Sequence, residues 1–395
     1  MKILFFEMKK CWLKLPILVV LILFLALNSW RICDMYKLSG FWTRDDMQNI
    51  KQAYFSIYED ILSGEITSNK IEYAKENYCR LSDEMAAGNF STEYDESRLA
   101  GYFMSDYLLF SSFIVPELEY AVTYTNVSNK IAARAYDNIS FYSGKDNKKE
   151  LAKNSLIYKL YSDRSIDNYY LTEWAEIYFR YEFSCLLILI MIILGISAAF
   201  SGEYESGMFM LIRAEGQTGR TVNAKLISAA VYVFALVIIF LLSDLITISF
   251  LSPIDGMNAP IYSAELFKLS PLNGSFSEVI IACGALRFSV FLVIAEIIML
   301  ISVITKNTIA SVVVSFSLIT ALIIASDGSR TILNPVNMLS SYNLISSFDC
   351  VYVSGHAVLS FHAAIIFYLV TVLILAVFIK LFTSESERRN KNVQA

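Results

Sequence analysis

The chain has 395 residues, of which 56% are hydrophobic and 17% charged, with a net charge of −5 and a mean hydropathy of +0.51. Soluble domains carry about 25% charged residues, so this composition excludes an ordinary soluble globular protein and points to an integral membrane protein. Residues 34–180 hold 16 Lys/Arg against 23 Asp/Glu, a net of −7, while the remainder is net +2; the acidic balance of that block argues against nucleic acid as a partner.

Residues 1–14 pair an apolar, aromatic side with Glu7, Lys9, Lys10 and Lys14, the make-up of an interfacial helix in contact with membrane lipids. The apolar run at 15–33 reaches the ~20 residues needed to cross a bilayer. The lysines before it place the N-terminus in the cytoplasm. A cleaved signal peptide is disfavoured by the charged lead-in and by the absence of a small-x-small site before Arg31.

The block at 34–180 is tyrosine-rich and almost free of glycine, with no alternating strand pattern. A capping-box pattern at 43–46 precedes Met47, Ile50, Tyr54, Ile57 and Ile61 at helical spacing, and Ser63 and Gly64 stop that helix. Ile71, Tyr78, Leu81 and Met85 predict a second helix. The stretch 99–114 is too short and, with Asp106 inside it, too polar to span; Pro116 halts or kinks it. Further helices are predicted at 146–162 and 169–182, the latter running unbroken into the membrane.

Apolar runs at 183–201, 226–251, 279–304, 308–326 and 361–382 add five crossings, for six in all. Cations follow the positive-inside rule. Arg213, Arg220 and Lys225, then Lys306, then Arg388, Arg389 and Lys391 fall on the cytoplasmic side, against only Lys268 and Arg330 in the loops 252–278 and 327–360. The expected fold class is an all-α polytopic membrane protein with six transmembrane helices and an extracytoplasmic helical domain inserted between the first two. Its parts are an interfacial helix (1–14), a first span (15–33), the external domain (34–180), spans two to six with a connecting loop at 201–225 (181–382), and a cytoplasmic tail (383–395).

The segment 200–225 combines acids, a short apolar stripe, glycines and cations. Met208, Phe209, Leu211 and Ile212 share one helical face, Glu203, Glu205 and Glu215 keep to the polar side or the ends, and Gly216 and Gly219 break the helix before Arg220 and Lys225. This reads as a short amphipathic helix at the membrane surface; a solvated loop is the plainer alternative.

Catalytic signatures are missing from the sequence. It contains no GxxxxGK[ST] phosphate loop, HExxH or GxSxG, so no catalytic residues are expected. With two histidines, His356 and His362, and six cysteines lacking any CxxC pair, no metal site is expected. Cys33 and Cys79 could pair in an oxidising compartment; free thiols are the default. Charges within the apolar runs are costly and usually functional. Asp244 and Arg287 lie near the outer ends of adjacent runs and could pair, either as a packing contact or along a polar path, while Glu296 is turned about 180° from Arg287 at 100° per residue.

The whole plan resembles the ABC-2 type ABC transporter permeases. The residues carrying the resemblance are Glu203, the Ser206-Gly207 pair, the apolar residues from Met208, then Arg220 and Lys225, together with the Phe6-Glu7-Met8-Lys9-Lys10 lead-in. The resemblance implies an exporter permease without ATPase activity of its own. It would work as a homodimer or heterodimer with a similar permease, in a bacterial plasma membrane with both termini cytoplasmic. A separate cytoplasmic ABC ATPase would supply ATP and Mg chemistry and grip a coupling helix at 203–216. Met208, Phe209 and Leu211 would fill a groove on that subunit, Glu203, Glu205 and Arg213 would orient it, and Gly207, Arg220 and Lys225 complete the motif. The alternative is a membrane sensor or scaffold whose external helices bind a ligand.

Overall fold

In the computed structural model the described residues are 2–38, 45–88, 90–326 and 332–394. Residues 43 and 44 of the expected capping box and Arg330 fall outside them, as do the side chains of Asp45, Asp46, Arg388, Arg389 and Lys391. The protein is an all-α polytopic membrane protein. Five of its helical segments are long and apolar enough to cross a bilayer, and a sixth apolar helix, at Thr308–Ile324, is shorter.

The chain starts with α1 (Lys2–Cys11) and α2 (Leu15–Leu38). In α3 (Asp45–Ile57) Ile50, Ala53, Tyr54 and Ile57 are buried at one-face spacing, and a π-helical turn, Tyr58–Leu62, ends at Ser63 and Gly64 as expected. Then follow α4 (Ser68–Ala86) and α5 (Phe103–Leu108), the latter continued by a π-helical segment, Leu109–Ile114, into α6 (Val115–Ser143). Pro116 therefore does not halt the helix: helical backbone runs through it, and it follows directly on the π-helical segment, whose shifted hydrogen-bond register accommodates a residue without an N–H. The 29-residue α6 is absent from the sequence reading.

Next come α7 (Lys148–Tyr161), capped by the Asn147 side chain accepting from the Glu150 amide, and α8 (Glu173–Arg180). Between them lies β2 (Asn168–Tyr169), which pairs antiparallel with β1 (Gly64–Glu65). Helix α8 does not run unbroken into the membrane. Tyr181 adopts an extended conformation (ψ 116°), and a new helix, α9 (Phe183–Ile196), starts after it. The Tyr181 hydroxyl donates to the Asn28 side-chain oxygen of α2 at 2.8 Å, which fixes the bend.

Two short helices, α10 (Ser201–Glu205) and α11 (Met208–Ala214), precede the long α12 (Thr218–Leu251). After a loop with two 3-10 turns come α13 (Phe276–Thr305), α14 (Thr308–Ile324), α15 (Pro335–Leu339), α16 (Ser341–Ile345) and α17 (Ser360–Gln394). A hairpin of β3 (Cys350–Val353) and β4 (His356–Leu359) stands before α17 and was not expected.

The helices build two separate cores. One unites α9, α12 and α13 around Met191, Ile192, Val233, Leu286 and Val290. Gly195 is needed there because a Cβ would overlap the Tyr232 ring, whose hydroxyl donates to the Met191 carbonyl at 2.8 Å. Helices α2 and α17 lie at the edge with outward apolar side chains such as Ile22, Leu23, Leu373 and Val377, as lipid-facing helices do. The second core joins α3, α4, α5 and the start of α6 through Tyr54, Leu62, Leu81, Phe110, Ile114 and Tyr169.

The two bodies are tied by polar contacts. Arg164, 3% exposed, donates to the Asn273 side-chain oxygen through Nε at 2.8 Å and lies over the Tyr161 ring at 4.0 Å. The hydroxyls of Tyr120 and Tyr161 donate to the carbonyls of Tyr262 and Leu269, each at 2.7 Å. The loop after α12 is thus packed beneath the block and is not a free excursion.

Candidate functional site

At the end of the bundle away from the block, three elements converge on Lys225, in the first turns of α12. Its Nζ donates to Glu7 Oε2 of α1 at 2.8 Å, to Glu203 Oε1 of α10 at 2.8 Å and to the Ala199 carbonyl at 2.6 Å. Lys10 also pairs with Glu203. Glu7, Glu203 and Lys225 are buried, each 2% exposed or less. Two carboxylates against two ammonium groups leave no net charge, which is the condition under which buried ions are tolerated.

These placements correct several expectations. Glu203 faces inward and cannot orient a partner, and Lys225 is buried beside it. Glu7 joins them instead of lying among headgroups, because α1 folds across α12: Trp12, just after α1, stacks on Tyr232 at 5.2 Å and donates to Ser228 Oγ at 3.2 Å. Glu205 is also engaged within the chain, accepting from the Thr308 amide and hydroxyl at 2.9 and 2.7 Å and so capping the start of α14.

The expected single helix over 203–216 is two helices. Gly207 stands between them with φ +74°, a left-handed conformation that glycine adopts without penalty. The turn rotates α11 so that Phe209 points inward, 4% exposed, with its ring 4.2 Å from that of Tyr204. Phe209 is therefore part of the support and not of an outward stripe. Exposed instead are Met208 (37%), Leu211 (66%) and Met210 (51%), the last unremarked in the sequence. Arg213 is half-buried on the same helix and Arg220 is exposed at the start of α12.

Sequence reasoning also missed a serine cluster holding the turn between α9 and α10. Ser302 Oγ of α13 donates to the Ser197 carbonyl at 2.7 Å and accepts from the Ser201 amide at 2.9 Å; Ser311 Oγ of α14 donates to the same carbonyl at 2.8 Å. Small hydroxyl residues at 201, 302 and 311, inside or beside apolar runs, were the available signal. Through these contacts α11 is connected to α1, α9, α12, α13 and α14.

The charges within the apolar helices are arranged differently from the expected pair. Asp244 accepts from the Asn28 side-chain amide of α2 at 2.6 Å, and no ion pair joins it to Arg287 among the described residues. Helix α2 supplies the nearer polar partner, so Asn28 takes the place assigned to Arg287. Arg287 is 7% exposed with Nε unpartnered, and Glu296 is 4% exposed with Oε2 unpartnered. The structure does not bring these three together into one site.

No metal-ligand group of three or more His, Cys, Asp or Glu occurs among the described residues, and Cys33 and Cys79 are free thiols. Comparison with protein-family models, curated proteins and solved structures gave no match.

Proposed function

We propose that this chain is the permease subunit of an ABC-2 type exporter, coupled to a separate cytoplasmic ATPase that binds ATP and Mg. In this reading α14 is the sixth crossing: its 17 residues rise about 26 Å, close to the hydrocarbon thickness. Both termini and α10–α11 are cytoplasmic in a bacterial plasma membrane, and the block carried between α2 and α9 is external. The permease pairs with a second copy or with a similar chain.

One observation carries the reading. Helix α11 presents Met208, Met210 and Leu211 outward while its root is clamped by the buried Glu7–Lys225–Glu203 network. Flexible thioethers and a leucine on a short protruding helix suit an apolar groove on a partner. The rigid root turns displacement of that helix into tilting of α9 and α12 instead of local bending. Affinity purification of the tagged full chain from its native host tests the proposal. Recovery of a P-loop ATPase is expected; repeated recovery of the intact chain without one, or with a signalling kinase, would overturn it in favour of the sensor.

A further inference from the structure

Between the start of α6, β2, α8 and the 3-10 turns after α12 lies a half-open cavity of about 590 Å³, a volume typical of small-ligand sites. It sits where the block meets the membrane bundle, far from α11. Its walls are mixed. Phe113, Tyr120, Tyr169 and Tyr170 supply aromatic surface, and the ionisable groups are Glu117, Glu173, Glu176 and Glu265 against a single cation, Arg180.

Most of these charges are already answered within the chain. Arg180 pairs with Glu176 at 2.8 Å, Glu265 with Lys268 at 3.2 Å, and Glu117 accepts from the hydroxyls of Tyr54 and Tyr169 at 2.7 and 2.6 Å. Glu173 is the exception. It is half-buried on the first turn of α8, has no hydrogen-bond or ion-pair partner among the described residues, and has the carboxylates of Glu117 and Glu176 as well as Lys51 as charged neighbours. A half-buried carboxylate without a partner, beside a roomy, aromatic-walled space, is a ready counter-charge for a cation.

We propose that this cavity binds a ligand that joins a cationic group, ammonium or guanidinium, to an aromatic or apolar body. The cation would sit at Glu173 and the body against the tyrosine and phenylalanine rings. Arg180 is neutralised by Glu176 and so adds no net positive charge against a cationic ligand. The site stands whether the chain is a permease or a sensor, since it uses neither α11 nor an ATPase.

Isothermal titration of the detergent-solubilised full chain with Phe-Arg amide, and with N-acetyl-Phe-Glu as an anionic counterpart of similar size, tests this. Saturable binding of the cationic dipeptide alone is expected. Glu173→Gln should weaken it about tenfold or more, in line with loss of a charge-assisted contact, and Glu173→Asp should keep most of it. Should Glu173→Gln fail to fold, Tyr120→Ala gives an independent reading through the aromatic wall. Equal binding of both dipeptides, no saturable binding of the cationic one, or binding unchanged in both variants would overturn the assignment.

Discussion

Lys225 and Glu203 lie 2.8 Å apart, both side chains 1% exposed, and they join the first turns of α12 to the short helix that leads into α11. Because Lys225 also neutralises Glu7, its removal leaves two buried carboxylates against the single ammonium of Lys10. Lys225→Met is expected to destabilise the chain by about 3–5 kcal/mol. Adding Glu203→Gln should restore part of the loss, since it removes the excess negative charge. Thermal unfolding of the detergent-solubilised variants checks this; a double variant no better than Lys225→Met would count against a shared ion network.

Arg164 fastens the block to the loop after α12 through Asn273 and the Tyr161 ring. Arg164→Ala is expected to cost about 2–4 kcal/mol, the range for losing a buried charge-assisted contact. Hydrogen exchange across 252–275 should quicken while α13 stays protected. Unchanged exchange in that loop would show that the aromatic contacts suffice.

Within the block, burial holds the Glu117 carboxyl above the usual carboxylate range, against the opposing pull of the hydroxyls of Tyr54 and Tyr169. A raised value means the folded state keeps its proton more tightly than the unfolded chain. Stability from this group is therefore full below the ordinary carboxylate pKa and is lost as pH rises through the folded value. Glu117→Gln should unfold at nearly the wild-type midpoint near pH 4 and above it near pH 8. A variant that loses ground as pH rises would reverse the assignment.

Sidedness follows from the proposed topology. In a cysteine-free background, Tyr94→Cys in the block and Leu211→Cys on α11, both at exposed positions (61% and 66%), should react oppositely with an impermeant maleimide. Tyr94→Cys should label in intact cells and Leu211→Cys only after lysis. Labelling of both in intact cells would refute the proposed orientation.

What the sequence revealed follows the reach of each signal. Apolar length located the membrane helices, and one-face spacing located α3 and α4, because both patterns are local. Helix α6 escaped because, after Leu118, its buried residues, Ala121, Tyr124, Ser128, Ala132 and Ala135, are small or polar and trace no apolar stripe. Pro116 misled because a proline inside a helical run need not end it where a π-helical segment absorbs the lost hydrogen bond. Of the site, the residues around 203–225 were legible but their facing was not. Nothing local says that Glu203 turns inward while Met210 turns out, since that depends on Gly207 and on Lys225 a full helix entry away. Partners such as Asn28 for Asp244, or Glu7 for Lys225, are separated by more than 200 residues and belong to tertiary packing alone.

The most direct test is the affinity of the co-purified ATPase for the wild-type chain and for Leu211→Asp, measured in detergent alongside the unfolding midpoint of each. The expected result is a loss of at least about tenfold in affinity, as for a charge driven into an apolar groove, with the midpoint unchanged because Leu211 is 66% exposed. Equal affinity of the two chains for the ATPase would contradict the role assigned to α11.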